Sequence, residues 1–159
     1  MAEEAKGDGQ GADAAEQLMV NAQYVKDLSF ENPRAPQSLL QPKGQPEVEI
    51  GVDVKARNLA PDTFEVVLAI NVTTKAAGEP LFLVELAYGA VVTVKSANEA
   101  KLRQLVLVEV PRFLFPFARA VVADATRDGG FPPLLINPID FAELARRDEA
   151  SEQAGIAAT

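Results

Sequence analysis

The sequence predicts an α+β fold in which an antiparallel sheet comes first and helices follow. Two observations support this: apolar residues recur at every second position between residues 47 and 94, and they recur with a helical period after residue 96. Because the strands precede the helices instead of alternating with them, the sheet should be antiparallel, with the helices packed on one face. A length of 159 residues, 48% of them hydrophobic, suits a single globular domain.

Three strands are predicted in the first half of the chain. Residues 47–57 alternate strictly between polar and apolar side chains, as in a half-buried strand, and residues 58–62 form a turn. Residues 64–74 form the second strand, and residues 75–79 close a hairpin to the third. The third strand, residues 81–94, is apolar on both faces. A chain of this size can hide the second apolar face only against another copy or a ligand.

Helical signals dominate the second half. The segment Ser96–Glu99 has the form of a capping box that opens the first helix, and Pro111 should stop or kink that helix. A second helical stretch spans about residues 113–127. After a Pro-stiffened apolar loop, Asn137 is predicted to cap the last helix, with Pro138 in its first turn.

Much of the excess acidity lies at the ends of the chain. The formal net charge is −8, and residues 1–17 hold five acids and one lysine in a Gly- and Ala-rich composition that is typical of disorder. We therefore expect a disordered acidic segment at 1–17, a folded domain at 18–147 and a flexible tail at 148–159. No basic patch is visible, which argues against nucleic-acid binding.

The composition disfavours an enzyme. The chain has neither Cys nor His, so it lacks a thiolate nucleophile, the usual general base near neutral pH and the commonest metal ligand. We expect no cofactor and no metal. Arg119, Asp124, Arg127 and Asp128 lie at helical spacing and are expected to form surface ion pairs instead of an acid–base cluster. Without a signal peptide or a membrane-length apolar run, the cytoplasm is the expected location.

Six short segments keep one order and spacing from about residue 20 to residue 145. They are Tyr24–Pro33, Gln45–Val48, Glu65–Leu68, Leu114–Arg119, Gly130–Pro133 and Asn137–Phe141. Together they resemble the SecB family of protein-export chaperones, and the Ala-rich acidic composition is similar to that of alphaproteobacterial members. The resemblance implies a four-stranded antiparallel sheet with helices on one face, and a homotetramer built as a dimer of dimers. One departure is Gly44, which stands where the family often has Trp.

The resemblance also implies a function and its surfaces. The chain should be an ATP-independent holdase that keeps unfolded precursor proteins translocation-competent and delivers them to the SecA motor. Residues matching the family's SecA contacts are Asp27, Glu31, Leu83 and Glu85, for which the alternative is a solvated acidic edge.

A groove for the unfolded client is expected on a different surface. Phe131, Leu134 and Leu135 lie in the Pro-stiffened loop, which cannot easily bury all three, and Leu39 and Leu40 would form the facing wall. Ordinary core packing of these five residues is the alternative.

Two other functions stay open. A SecB-like chaperone of a toxin–antitoxin system would have the same fold and would serve one antitoxin. A carrier of apolar small ligands would need a closed pocket.

Overall fold

A computed structural model describes residues 16–41 and 43–157 and confirms the predicted α+β class. The elements in chain order are β1 (Gln17–Glu31), α1 (Gln37–Leu40), β2 (Glu47–Ala60), β3 (Thr63–Ala76), β4 (Glu79–Lys95), α2 (Glu99–Gln104), a π-helical turn (Leu105–Glu109), α3 (Val110–Asp128) and α4 (Phe141–Ala157). The four strands form one antiparallel sheet in the order β1-β4-β3-β2. The predicted disorder of residues 1–15 lies outside the described residues.

The sheet has one face that packs on the helices and one that does not. Even-numbered side chains of β3 and β4 are buried in a core that they share with the helices; examples are Leu68, Ile70 and Val84, together with Leu114 and Val122 of α3. Odd-numbered side chains of the same strands point the other way, because successive residues of a strand alternate between faces. We call this second surface the helix-free face.

Strand β1 is not among the three strands predicted from the residue pattern. It is a 15-residue edge strand that pairs with β4 along its length. Its register shifts at Asn21 and again at Lys26, so each of these residues is the extra one in a β-bulge. The bulge at Lys26 places Tyr24 and Asp27 on the same face, the helix-free one, opposite Gly89 and Ala87.

The first helix begins as predicted, with a different capping residue. The Asn98 side-chain oxygen accepts hydrogen bonds from the backbone amides of Ala100 (2.9 Å) and Lys101 (3.3 Å). The Ser96 hydroxyl instead accepts from the Asn98 amide at 3.3 Å. Asn98 is therefore the N-cap, and Ser96 stabilises the turn before it.

Pro111 does not stop the helix, contrary to one of the two expected outcomes. The chain widens into the π-helical turn just before it, where the Val110 amide donates to the Leu105 carbonyl five residues back. A proline lacks an amide hydrogen and its ring crowds the carbonyl four residues earlier. The wider turn accommodates both effects, and α3 then continues to Asp128.

The last helix begins later than predicted and extends into the segment expected to be a flexible tail. Asp140, not Asn137, is the capping residue, since its carboxylate accepts from the Glu143 amide at 3.0 Å. Residues 131–140 form no regular element, and α4 runs through Ala157, so residues 148–157 of the expected flexible tail are helical. Ion pairs support this helix: Glu143 contacts Arg146 at 2.6 Å and Arg147 at 3.4 Å.

Candidate functional site

The four residues matched to SecA contacts lie together on the helix-free face. Glu31 of β1 is directly opposite Leu83 of β4, while Glu85 is opposite Ser29. Asp27 follows one pair further along the same face, opposite Ala87. Directly opposed residues have Cβ atoms about 4.5–5.5 Å apart, so these side chains form one contiguous patch. The three carboxylates are exposed and Leu83 is half-buried.

Strand β2 adds two carboxylates to this patch that sequence reasoning did not assign to a site. Glu49 lies in the same cross-strand row as Leu83, through Thr73 of β3. Asp53 lies in the same row as Asp27, through Ala69 and Ala87. We call the exposed carboxylates of these three adjacent rows the acidic rows: Asp27, Glu31, Glu49, Asp53 and Glu85. Among the described residues, none of the five has an ion pair.

Beyond the acidic rows, three side chains from two strands converge on one carboxylate. Glu65 of β3 accepts hydrogen bonds from the Tyr24 hydroxyl (2.5 Å), the Lys26 ammonium (2.8 Å) and the Arg57 guanidinium (3.0 Å). Glu65 is only 8% exposed, because these partners cover it. We call Tyr24, Lys26, Arg57 and Glu65 the clasp. The sequence indicated the clasp only through Glu65, an acidic residue near the start of an otherwise apolar strand.

The clasp fixes the protonation states of two of its members. The hydrogen bond from Lys26, followed by those from Tyr24 and Arg57, lowers the pKa of Glu65 to about 2, although burial opposes the shift. Burial, followed by the hydrogen bond to Glu65, raises the pKa of Tyr24 to about 12. At neutral pH, Glu65 is therefore an anion and Tyr24 is a neutral donor to it.

Gly89 makes the clasp possible. The Tyr24 side chain starts on β1 and must cross β4 to reach Glu65 on β3, and its ring lies directly over Gly89. A Cβ atom at that position would lie 2.6 Å from Tyr24 Cε2. Any other residue would therefore displace the ring, so this glycine is required for close approach and not for its backbone angles.

The expected client groove lies on the helix side of the sheet. The Leu39 side chain packs against Gly130, so α1 meets the loop that follows α3. In that loop Phe131 packs on Phe82 of β4, with ring centroids 4.8 Å apart. The Leu134 amide donates to the Thr126 hydroxyl at 2.9 Å, which anchors the loop to α3.

Of the five residues expected to line this groove, two are half-buried and three are exposed. Phe131 and Leu134 are half-buried against the core. Leu39, Leu40 and Leu135 are 42%, 75% and 60% exposed. The simple core alternative is therefore wrong for these three leucines, which present apolar surface to solvent.

Strand β2 adds apolar surface next to Leu39, Leu40 and Leu135, and we call the combined surface the apolar strip. Val48 and Ile50 point to the helix side, and both are about two-fifths exposed, at 42% and 41%. Val48 shares a cross-strand row with Thr74 and Phe82, and Phe82 contacts the loop. The strip therefore continues from the loop onto the outer strand of the sheet.

Further apolar side chains are exposed on α3 and on β1. Phe113 and Phe117, four residues apart on α3, pack in a tilted arrangement with ring centroids 5.7 Å apart and are 47% and 45% exposed. On the helix side of β1, Val25 and Leu28 are 47% and 44% exposed. Phe115, in contrast, is buried and packs on Phe141. The exposed residues of both elements are candidates for contact with another copy of the chain.

The charged residues of α3 form surface contacts. Arg127 pairs with Asp124 at 3.3 Å and with Asp128 at 3.6 Å, which confirms the predicted ion pairs for these three. Arg119 differs, because its guanidinium donates to the Ile136 carbonyl at 3.0 Å and ties the loop to α3.

None of the helices in the described ranges is long and apolar enough to cross a membrane.

Comparison with known proteins identifies the family. A family model described as preprotein translocase subunit SecB matches residues 11–152. The chain belongs to the SecB family. SecB is a family of protein-export chaperones and not of enzymes, so the resemblance seen in the six sequence segments is confirmed.

Named relatives agree with this assignment. The protein-export protein SecB of Azorhizobium caulinodans is 51% identical over 85% of this chain and 84% of its own length. That of Rhodospirillum centenum is 49% identical over 82% of this chain and 78% of its own length. Among solved structures, a SecB-like chaperone of Mycobacterium tuberculosis in complex with an antitoxin peptide superposes with a TM-score of 0.63, at 15% identity, over 77% of this chain and 90% of that one. At that identity the match supports the fold alone.

Proposed function

We propose that this SecB-family chain is a cytoplasmic, ATP-independent holdase that binds unfolded precursor proteins, keeps them competent for translocation and delivers them to SecA. The observation that carries the proposal is the separation of two surfaces in one chain. An open apolar strip lies on the helix side of the sheet, and a patch of carboxylates that have no ion pair among the described residues lies on the helix-free face.

The apolar strip suits an unfolded client. Burying apolar surface is favourable by roughly 25 cal/mol per Å², and this gain requires no particular sequence. Strand β2 is also an edge of the sheet, with backbone groups free to hydrogen-bond an extended segment. A folded protein hides both its apolar segments and its backbone, so selection would follow the folding state of the client.

We propose that the working form is a homotetramer, a dimer of dimers. Support comes from the exposed aromatic pair Phe113 and Phe117 and from the exposed apolar side of β1. An uncovered surface of this kind is unusual on a monomer. Several apolar strips on one assembly would also bind one long client with added avidity.

We propose that SecA docks on the acidic rows. The five carboxylates are exposed and have no ion pair within the described part of the chain, so they are available to Lys and Arg side chains of a partner. Leu83 supplies an apolar contact among them. The docking surface and the client strip lie on opposite faces of the sheet, so SecA could bind a loaded chaperone.

The client-binding proposal is tested by aggregation of a chemically denatured secretory precursor after dilution. The wild-type chain should suppress aggregation equally with and without ATP. The variant Leu40→Ser with Leu135→Ser should lose most of this activity while keeping its melting temperature, since both side chains are largely exposed. Leu59→Ser is the matched control, because Leu59 is 44% exposed at the β2 end away from the strip. Full activity in the double variant would contradict this placement of the client.

The alternative functions receive less support. Relatives at 51% and 49% identity are named as protein-export proteins, whereas the antitoxin-bound chaperone is 15% identical. For a carrier of apolar ligands, a cleft of about 740 Å³ between β2, α2 and α4 is open and is lined in part by charged side chains, including Arg103, Asp148 and Glu149. Such a lining does not suit an apolar small molecule.

A further inference from the structure

One cation next to the acidic rows pairs with a carboxylate outside them. Lys26 precedes Asp27 in the chain, yet its ammonium lies 2.8 Å from Glu65, across β4. The β-bulge at Lys26 gives the side chain this direction. Arg57, which lies on the same face of β2 as Asp53, is likewise bound to Glu65, at 3.0 Å.

We infer that Glu65 is a positioning residue for SecA docking, which holds Lys26 over itself and so prevents this cation from neutralising the acidic rows. The inference rests on the proposed SecA docking surface. Glu65 itself is nine-tenths buried, so its role would be exerted through Lys26 and not by contact with SecA.

Without Glu65, Lys26 would come within reach of the carboxylates, because it is adjacent to Asp27 in β1. Arg57 is two rows from Asp53 on the same face of β2, and two rows span about 13 Å, so Arg57 is the more distant cation. Exposed charges interact within about 8 Å at physiological ionic strength. A released Lys26 would therefore compete with the basic side chains of a docking partner.

The carboxylate that holds the two cations is itself held firmly in place. Tyr24 donates the third hydrogen bond to Glu65, and its ring is seated over Gly89, so the carboxylate is held from several sides. Lys55 provides a contrast on the same face. It lies between Asp53 and Arg57, and within the described residues it has no ion pair.

The main experiment compares SecA affinity for Glu65→Gln and for Glu65→Gln with Lys26→Gln, at low salt and at physiological salt. Glu65→Gln should bind SecA roughly three- to tenfold more weakly, and more so at low salt. The double variant removes one negative and one positive charge, so its net charge equals that of the wild type. It should recover most of the lost affinity. The assembled mass and client holding should stay unchanged in both variants.

Two results would overturn the inference. One is wild-type SecA affinity in Glu65→Gln. The other is a loss of affinity that the added Lys26→Gln does not restore, because that pattern indicates a structural role alone. A reference arm with Asp27→Lys and Glu85→Lys separates this failure from failure of the proposed function. If that reference variant also binds SecA normally, the docking surface itself is misplaced.

A second comparison leaves Glu65 in place and applies if Glu65→Gln does not assemble. Lys26→Gln should change SecA affinity less than twofold, since its charge already interacts with Glu65. Lys55→Gln removes a cation without an ion pair among the described residues, so it should strengthen SecA binding more than Lys26→Gln does. The opposite order would contradict the inference, because Lys26 is the residue next to Asp27.

Discussion

Single residues decide how the helix-free face is organised. The Tyr24 ring crosses β4 only because Gly89 has no side chain, and a Cβ there would lie 2.6 Å from the ring. We predict that Gly89→Ala lowers the free energy of unfolding by about 1–3 kcal/mol. Gly51→Ala is the matched control, since it lies on the same face and its Cβ would meet only Asn71 Cβ, at 4.0 Å. Thermal or urea unfolding measures both, and equal effects would contradict the role given to Tyr24.

The clasp also predicts a pH dependence. The pKa of Glu65 is lowered to about 2 from 4.5, so its anion stabilises the fold above pH 4.5, and this contribution is lost as the pH falls towards 2. We expect Glu65→Gln to be less stable than the wild type at pH 7, with the difference shrinking as the pH falls from about 4.5 to 2. Unfolding curves at several pH values measure this. A stability difference that is constant over that range would argue against an ionised, hydrogen-bonded Glu65.

Some residues of the proposed docking surface could be identified from the sequence, and the clasp could not, for physical reasons. Asp27, Glu31, Leu83 and Glu85 came from the family resemblance, and their convergence on one patch needed the β1–β4 register. The clasp could not be predicted in the same way. It depends on a bulge in β1 and on a side chain crossing an entire strand, and neither leaves a periodic signal.

At the scale of elements, the residue that caps α4 differs from the residue that the sequence predicted. Asp140 accepts the Glu143 amide at 3.0 Å, whereas Asn137 lies outside α4. Asp140→Ala should lower the free energy of unfolding by about 0.5–2 kcal/mol, because it removes the N-cap. Asn137→Ala should leave it nearly unchanged. Chemical denaturation of the two variants decides between them, and the reverse order would restore the boundary that the sequence predicted.

The strands were easier to predict than the helix boundaries. Strict alternation defined β2, because a two-residue period is unambiguous in a half-buried sheet, and the hairpin turn at residues 75–79 led into the continuous apolar run of β4. The helices carried competing signals. Pro111 is compatible with a break, a kink or a widened turn, and only the packing of Val106, Val108 and Val110 in the core selects the last.

For the whole molecule, the exposed aromatic pair on α3 predicts an assembly. Light scattering should give about four times the chain mass of 17.0 kDa. Phe117→Glu should give a smaller species, since a charge would be buried without a partner in the contact. Leu59→Glu, at a similarly exposed position on β2, should stay tetrameric. A wild-type monomer at working concentration would contradict the proposed assembly.

The central claim is that one chain holds an unfolded client on one side of its sheet and docks SecA on the other. The most direct measurement is a SecA titration of Asp27→Lys with Glu85→Lys, with aggregation suppression assayed on the same sample. Both carboxylates are exposed and without ion pairs in the described part of the chain, so the fold should tolerate their reversal. We predict that SecA affinity falls by at least tenfold, as expected when several interface charges become repulsive, while client holding is retained. Wild-type SecA affinity in this variant would contradict the account.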